Sequence, residues 1–270
     1  MNIVIQEQLT AAEKLQVQTF IKETEAATNC RFKIDYQVFD EVPAFLYYHF
    51  IVYQAEKIVG YLLLSQYCPE EIEGTLVLST TTDCLPVLIT KVKEELIKRE
   101  TNKILFVVDR QQSEVCDFLK EAGYQYQFSE LAMAVTQQHL TTTKQAEILM
   151  EKATLADQPA IQKLWGTDDA ELEIPQADLL KTWLYRKNQQ IIATLRLEES
   201  PENIGIYGFV VHPDFRGQGI GRQVLQTVCC QQLNKTTKPI YLEVEKDNLP
   251  AKNLYVSLGF QTLNQYDYFA

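Results

Sequence analysis

The stretch VVHPDFRGQGIGRQVL, residues 210–225, differs in texture from everything around it. The chain has 10 glycines in 270 residues, and three of them, Gly217, Gly219 and Gly221, crowd into this one turn. They follow a β-rich run, IGIYGFVV, and precede an amphipathic run, RQVLQTVCCQQL. Glycines at a strand-to-helix turn let backbone N–H groups converge at the positive end of a helix, where an anion such as a pyrophosphate binds. A phosphate cradle is the functional reading of this loop, and an ordinary tight turn is the alternative. The Walker pattern fails because no G-K-[ST] follows. The Rossmann pattern fails because the spacing is G-x-G-x-G and no acidic residue is placed for a ribose.

Working outward, the chain shows one order of elements twice. In the first half LTAAEKLQVQTFIKETEAAT has helical spacing, FIVYQAEKIVGYLLLS reads as a hairpin and GTLVLST as a strand. The helix PVLITKVKEELIKRE, with proline in its first turn, the buried strand KILFVV and the helix SEVCDFLKEAGY follow. In the second half TLADQPAIQKLW starts a helix, WLYRKNQQIIATLRLE is a hairpin and IGIYGFVV a strand. The glycine turn, its helix, the strand PIYLEV and the helix PAKNLYVSLGF complete the repeat. Laying one hairpin on the other places Phe50 on Trp183, and laying FLKEAGYQ on LYVSLGFQ places Phe118 on Leu254, so the offset hardly drifts. Two tandem domains are expected, 1–138 and 146–270, divided in the polar stretch TQQHLTTTKQ (136–145), where apolar periodicity stops. A single interwoven domain is the alternative.

Composition sets the class. Apolar residues make up 46% and charged residues 23%, without a proline- or serine-rich tract, which predicts a chain folded throughout. The amino terminus lacks the basic and apolar regions of a signal peptide, and no apolar run approaches a membrane span. Six scattered cysteines without C-x-x-C spacing, and three dispersed histidines, predict reduced thiols in a cytoplasmic protein with no metal. A formal charge of −11 opposes nucleic acid and favours cationic or neutral partners.

The residues around the glycines carry a resemblance. R-G-Q-G-I-G at 216–221, followed later by L-E-V-E-K-D-N-L-P-A-K-N-L-Y-V-S-L-G-F, resembles the GCN5-related N-acetyltransferase (GNAT) superfamily. The first segment is similar to that family's Q/R-x-x-G-x-G/A loop at Arg216, Gly219 and Gly221. The second is similar to its later signature at Val244, Asn248, Ala251, Tyr255, Gly259 and Phe260. The resemblance implies an α/β fold of two GNAT-like domains, each a mixed, largely antiparallel sheet flanked by helices. In the second sheet the fourth and fifth strands splay to admit pantetheine. It implies acetyl-CoA as acyl donor. The backbone of Phe209, Val210 and Val211 would pair with pantetheine, and the amides of Arg216, Gly217, Gln218, Gly219, Ile220 and Gly221 would hold the pyrophosphate. Arg216 and Arg222 would add charge, and Asn248 would complete the site.

Acetylating an amine requires removal of its proton and protonation of the departing thiolate. Tyr255 occupies the family's usual acid position. Glu243 and Glu245 stand on one face of LEVE, and Glu243 lies twelve residues before Tyr255, a spacing similar to that of ribosomal-protein N-terminal acetyltransferases. Glu243 is the candidate base, with water or another residue as alternatives. IGIYGFVV has no carboxylate, and His212 reads as a turn residue. In the first half the alignment sets Leu85, Leu88 and Thr90 opposite Arg216, Gly219 and Gly221, Gln112 opposite Asn248, and Leu119 opposite Tyr255. The first domain is therefore expected to be a degenerate copy without the acetyl-CoA motif, and the chain a monomer in which two domains stand where a dimer's would. The leading reading is transfer of an acetyl group to a primary amine of a small molecule or peptide. A non-catalytic acyl-CoA sensor and a phosphate-binding structural module are the alternatives.

Overall fold

The computed structural model describes residues 1–34, 36–39, 47–68, 71–79, 83–98, 103–143, 148–166 and 174–270. They form two compact units, Met1–Glu130 with Asn264–Ala270, and Leu131–Leu263.

In the first unit β1 (Asn2–Gln6), β2 (Tyr47–Gln54), β3 (Lys57–Cys68) and β4 (Glu71–Leu78) lie side by side and antiparallel, and β5 (Ile104–Asp109) adds parallel to β4. Helix α1 (Ala11–Thr28) follows β1, α2 (Leu85–Lys98) makes the crossover between the parallel strands, and α3 (Ser113–Glu121) follows β5. Strand β6 (Tyr126–Val135) begins in this unit. Strand alternation sorts the side chains. Phe50, Val52, Leu62 and Leu76 meet Leu88 and Val92 of α2 and Leu119 of α3, whereas Ile51, Tyr61, Leu63 and Val77 meet Val17 and Ile21 of α1. A reciprocal capping box starts α1: the Thr10 hydroxyl accepts from the Glu13 N–H at 3.3 Å, and the Glu13 carboxylate accepts from the Thr10 N–H at 2.8 Å.

The second unit repeats this plan. Strands β7 (Glu151–Lys152), β8 (Thr182–Lys187), β9 (Gln190–Glu199) and β10 (Ile204–Val211) are antiparallel neighbours, and β11 (Ile240–Glu245) is parallel to β10. Helices α4 (Gln158–Trp165) and α5 (Gln176–Lys181) belong to one face, whose core includes Ile161, Leu179 and Leu184. Helix α6 (Ile220–Leu233) and α7 (Leu249–Ser257) cover the other, with Val224, Leu225, Leu242, Tyr255 and Leu258. Each unit is a mixed, mostly antiparallel arrangement of strands flanked by helices, the expected α/β class. Both hairpins use a two-residue turn with left-handed residues, Ala55 (φ 46°) and Glu56 (φ 66°) in one unit, Asn188 (φ 50°) and Gln189 (φ 66°) in the other. Such turns match the strand twist and preserve the repeat even where neither residue is glycine.

The observed division differs from a boundary in 136–145. The threonine-rich stretch is tied into the second unit: the Thr141 N–H donates to the Leu258 carbonyl at 2.9 Å, and Gln226 of α6 bonds both the N–H and the carbonyl of Thr143 at 2.9 Å. Its polarity reflects hydrogen bonding rather than a free linker. Strand β12 (Gln261–Phe269), expected to lie wholly in the second domain, counts with the first unit from Asn264 onward, where it pairs antiparallel with β5 from Tyr266↔Asp109 to Phe269↔Phe106. Conversely, Leu131, Met133 and Val135 of β6 join the second unit's core.

One buried polar pair in the first unit predicts an acid-sensitive core. His49 Nδ1 lies 2.7 Å from the hydroxyl of fully buried Tyr61, and Phe39 stacks on the imidazole. Donation from the enclosed phenol O–H to Nδ1 requires the neutral ring. Burial, with a smaller contribution from Lys14, lowers the His49 pKa from 6.5 to about 4. Because the unfolded chain binds that proton first, stability is complete above about pH 6.5 and falls as the pH drops toward 4, by about 2 kcal/mol at pH 5. Urea unfolding of the parent and of His49→Gln at pH 7.5 and pH 5 checks this, and an equal loss in both proteins would contradict it.

Candidate active site

The parallel β10/β11 ladder is short. It pairs Ile204 with Ile240 and Gly205 with Tyr241 and then ends, although β10 continues to Val211 and β11 to Glu245. The equivalent β4/β5 ladder runs from Ile72↔Ile104 to Thr75↔Val107. The strands thus part in the second unit where the splay was expected. A bulge in β10 accompanies the parting: the register with β9 shifts between Tyr207↔Arg196 and Val210↔Thr194, around Gly208 (φ 55°). It inverts the alternation, so that Ile204 and Ile206 face the α6–α7 core before it and Phe209 and Val211 after it. The glycine inside an otherwise regular strand pattern was the sequence signal for this bulge.

Beyond β10 the chain turns through Pro213–Phe215, a 3₁₀ turn capped by His212, whose Nδ1 accepts from the Asp214 N–H at 3.3 Å. His212 is a turn residue, as expected. Gly219, left-handed at φ 79°, stands at the start of α6 without any side-chain cap, and the first amide bond of the helix is Gln223 N–H to the Gly219 carbonyl at 3.1 Å. Among the described residues the N–H groups of Gly217, Gln218, Gly219, Ile220, Gly221 and Arg222 have no protein acceptor. They form a run of donors at the positive end of a helix.

The flanking side chains bond and pack within the protein itself. The Arg216 N–H is consumed by the Pro213 carbonyl (3.2 Å), and its Nε donates to the Val211 carbonyl (2.9 Å), so this arginine fastens the loop to the end of β10. Arg222 sends Nη2 to the Ser257 hydroxyl (2.5 Å) and Nη1 to the Ser257 carbonyl (3.4 Å), which uses its guanidinium to hold the end of α7. Gln218 donates from Nε2 to the Asp214 carbonyl at 3.0 Å, and the Ile220 side chain belongs to the core. Gly221 serves close packing: a Cβ there would lie 3.1 Å from Leu254 Cδ2 and 3.6 Å from atoms of Phe209 and Val211. Asn248 is the N-cap of α7, its Oδ1 accepting from the Ala251 N–H at 3.2 Å.

Tyr255 of α7 is 6% exposed and packs against Phe260 with ring centroids 5.7 Å apart. Burial pushes its phenol up to about 12, so the proton stays on oxygen at physiological pH. The hydroxyl has no protein partner among the described residues and is not one of the sealed-off unpartnered atoms. Glu243 lies on β11 between Leu242 and Val244, which share the Tyr255 core, so its side chain takes the opposite face of the sheet. There the Tyr241 hydroxyl donates to its Oε1 at 2.8 Å. The two residues proposed as base and acid therefore belong to opposite faces of a strand that has separated from its neighbour.

Comparison with known proteins agrees with this geometry. Residues 147–260 match the model of the acetyltransferase (GNAT) family. A 64-residue stretch, 24% of the chain, is 33% identical to the uncharacterized N-acetyltransferase YobR of Bacillus subtilis, 26% of which it covers. The chain spans about a quarter of the length of the curated relatives it matches. A solved GCN5-related N-acetyltransferase from Sphaerobacter thermophilus superposes with a TM-score of 0.75 at 13% identity, over 99% of this chain and 94% of that one. A tandem GNAT protein from the clavulanic acid biosynthesis pathway superposes with a TM-score of 0.68 at 12% identity, over 99% and 98% of the two chains. The second unit, which holds the uncapped helix and the parted strands, contains the residues that match the acetyltransferase (GNAT) family model.

Proposed function

We propose that the protein transfers an acetyl group from acetyl-CoA to a primary amine. The observation that carries this is the run of unpartnered N–H groups from Gly217 to Arg222, set beside a β10/β11 ladder that ends at Gly205↔Tyr241. The amides would hold a pyrophosphate, and the unpaired edge of β10 over Phe209–Val211 would accept an extended amide-bearing chain as a strand would. When bound, acetyl-CoA supplies an acetyl group activated as a thioester. Glu243, directly or through water, takes the ammonium proton of the acceptor on its face of the sheet. Tyr255 keeps a proton at its phenolic oxygen on the other face, ready for a leaving thiolate.

The first unit is proposed to be a silent copy. Its parallel ladder runs further, to Thr75↔Val107, a Cβ on Gly74 would meet Phe106 at 3.1 Å and Leu64 at 3.2 Å, and α2 opens with buried Leu85 and with Pro86, which has no N–H. Leu119, opposite Tyr255, is fully buried in the apolar core. Cys30, Cys84, Cys116, Cys229 and Cys230 are free thiols, the first four of them buried, which supports a reducing, cytoplasmic setting.

Calorimetric titration with acetyl-CoA tests the donor site, and saturation at one equivalent per chain is expected. Gly219→Asp places a carboxylate at the head of the cradle in a left-handed conformation that Asp tolerates. Displacing one or two charge-assisted bonds, roughly 1.5–3 kcal/mol each, should weaken binding about a hundredfold while the melting temperature holds. Two equivalents, or unchanged affinity in the variant, would refute the assignment. Thiol release across a panel of amines identifies the acceptor, and tight binding without release toward any of them would favour an acyl-CoA sensor.

A further inference from the structure

We propose that Trp165 is a positioning residue that locks the bulge of β10, acting from α4 through Thr194. The Trp165 indole N–H donates to the Thr194 hydroxyl at 2.9 Å, and that hydroxyl donates onward to the Gly208 carbonyl at 3.4 Å. One hydroxyl thereby accepts once and donates once, which fixes its rotamer and the direction of both bonds. Thr194 is fully buried in β9, directly opposite Val210, the first residue to regain register after the bulge. The indole also covers Gly208: a Cβ there would sit 3.2 Å from Trp165 Cζ2, and its φ of 55° is one that side chains resist. The lock therefore holds the residue whose conformation flips the strand, and so sets where Phe209, Val210 and Val211 present their backbone beside the gap.

A residue packing only for volume would tolerate loss of its N–H. Here the hydrogen-bond polarity matters, because an unlocked Gly208 can return to ordinary strand geometry, pair β10 further along β11 and close the gap. The inference rests on the donor-site reading for its consequence, while the lock itself is a property of the backbone.

The test compares Trp165→Phe, Thr194→Val, their double variant and Thr194→Ser by amide hydrogen exchange at Phe209–Val211 and by calorimetric titration with acetyl-CoA. Thr194→Val keeps the shape and removes both bonds, and Thr194→Ser restores the hydroxyl. Exchange should accelerate about tenfold in Trp165→Phe and Thr194→Val, no further in the double variant, and return toward the parent rate in Thr194→Ser. Acetyl-CoA affinity should fall about five- to tenfold in the same order, with the KM for acetyl-CoA rising more than kcat falls. Unchanged exchange in Thr194→Val, additive effects in the double variant, or equal behaviour of the Val and Ser variants would overturn the lock. Accelerated exchange in a protein whose parent form binds no acetyl-CoA would uphold the lock and remove the donor-site reading instead.

Discussion

Removal of Asn264–Ala270 is expected to unfold the first unit, although these residues close the other end of the sequence. They pair with β5 and bury Tyr266, Tyr268 and Phe269, each no more than 4% exposed. Lys33 Nζ donates to the Tyr268 hydroxyl at 2.6 Å and to Glu130 at 2.9 Å, while Phe128 stacks on the Tyr268 ring at 4.3 Å. The Gln125 and Ala270 backbones exchange two hydrogen bonds, of 2.8 and 3.0 Å. Three large side chains at roughly 1.5–3 kcal/mol each, with a lost strand ladder, rival the whole stability of a domain, about 5–15 kcal/mol. Amide exchange should show Ile104–Asp109 and α3 losing protection in the truncated chain. Phe269→Ala, which removes one core side chain, should cost about 3–5 kcal/mol by urea titration. Full protection of β5 after truncation would show that the strand is dispensable.

Tyr255→Phe is expected to lower kcat by about 10²-fold or more, within the range of a lost general acid, while acetyl-CoA affinity holds. The change removes one hydroxyl that has no protein bond to lose, so the tilted packing on Phe260 and the core survive. Single-turnover rates isolate the chemical step, and an unchanged rate would leave Tyr255 a packing residue. Glu243→Gln should behave differently. Its loss should be greatest at low pH, where the acceptor amine is charged and needs a base, and should shrink at high pH, where free amine is abundant. A pH-independent loss would assign Glu243 to binding rather than proton transfer.

The glycine loop and the helix after it were legible because their features are local. Gly217, Gly219 and Gly221 mark a turn whose backbone angles are written into the residue type, and the absence of a Ser, Thr, Asp or Asn before Ile220 already left the helix uncapped. Asn248 was equally readable as a cap, since Leu249 and Pro250 after it open a helix. The paired hairpins, with turns at Ala55–Glu56 and Asn188–Gln189, followed from apolar alternation broken at matching places.

What the sequence could not decide is where local geometry permits several partners. A strand such as β12 carries no mark of which neighbour it will pair with, and its ladder with β5 from Tyr266 to Phe269 is what places Asn264–Ala270 in the first unit. The guanidiniums of Arg216 and Arg222 suit a phosphate or a protein oxygen equally well, and their bonds to the Val211 carbonyl and to Ser257 follow from where the fold puts those residues. Gly221 also leaves room for Leu254, a packing partner that no local signal names. The alliance of Trp165, Thr194 and Gly208 joins three elements distant in sequence. Conformational preference is a property of a residue and its neighbours in the chain and can be read from them. Hydrogen-bond and packing partners are chosen in three dimensions, where long-range contacts outweigh the local signal.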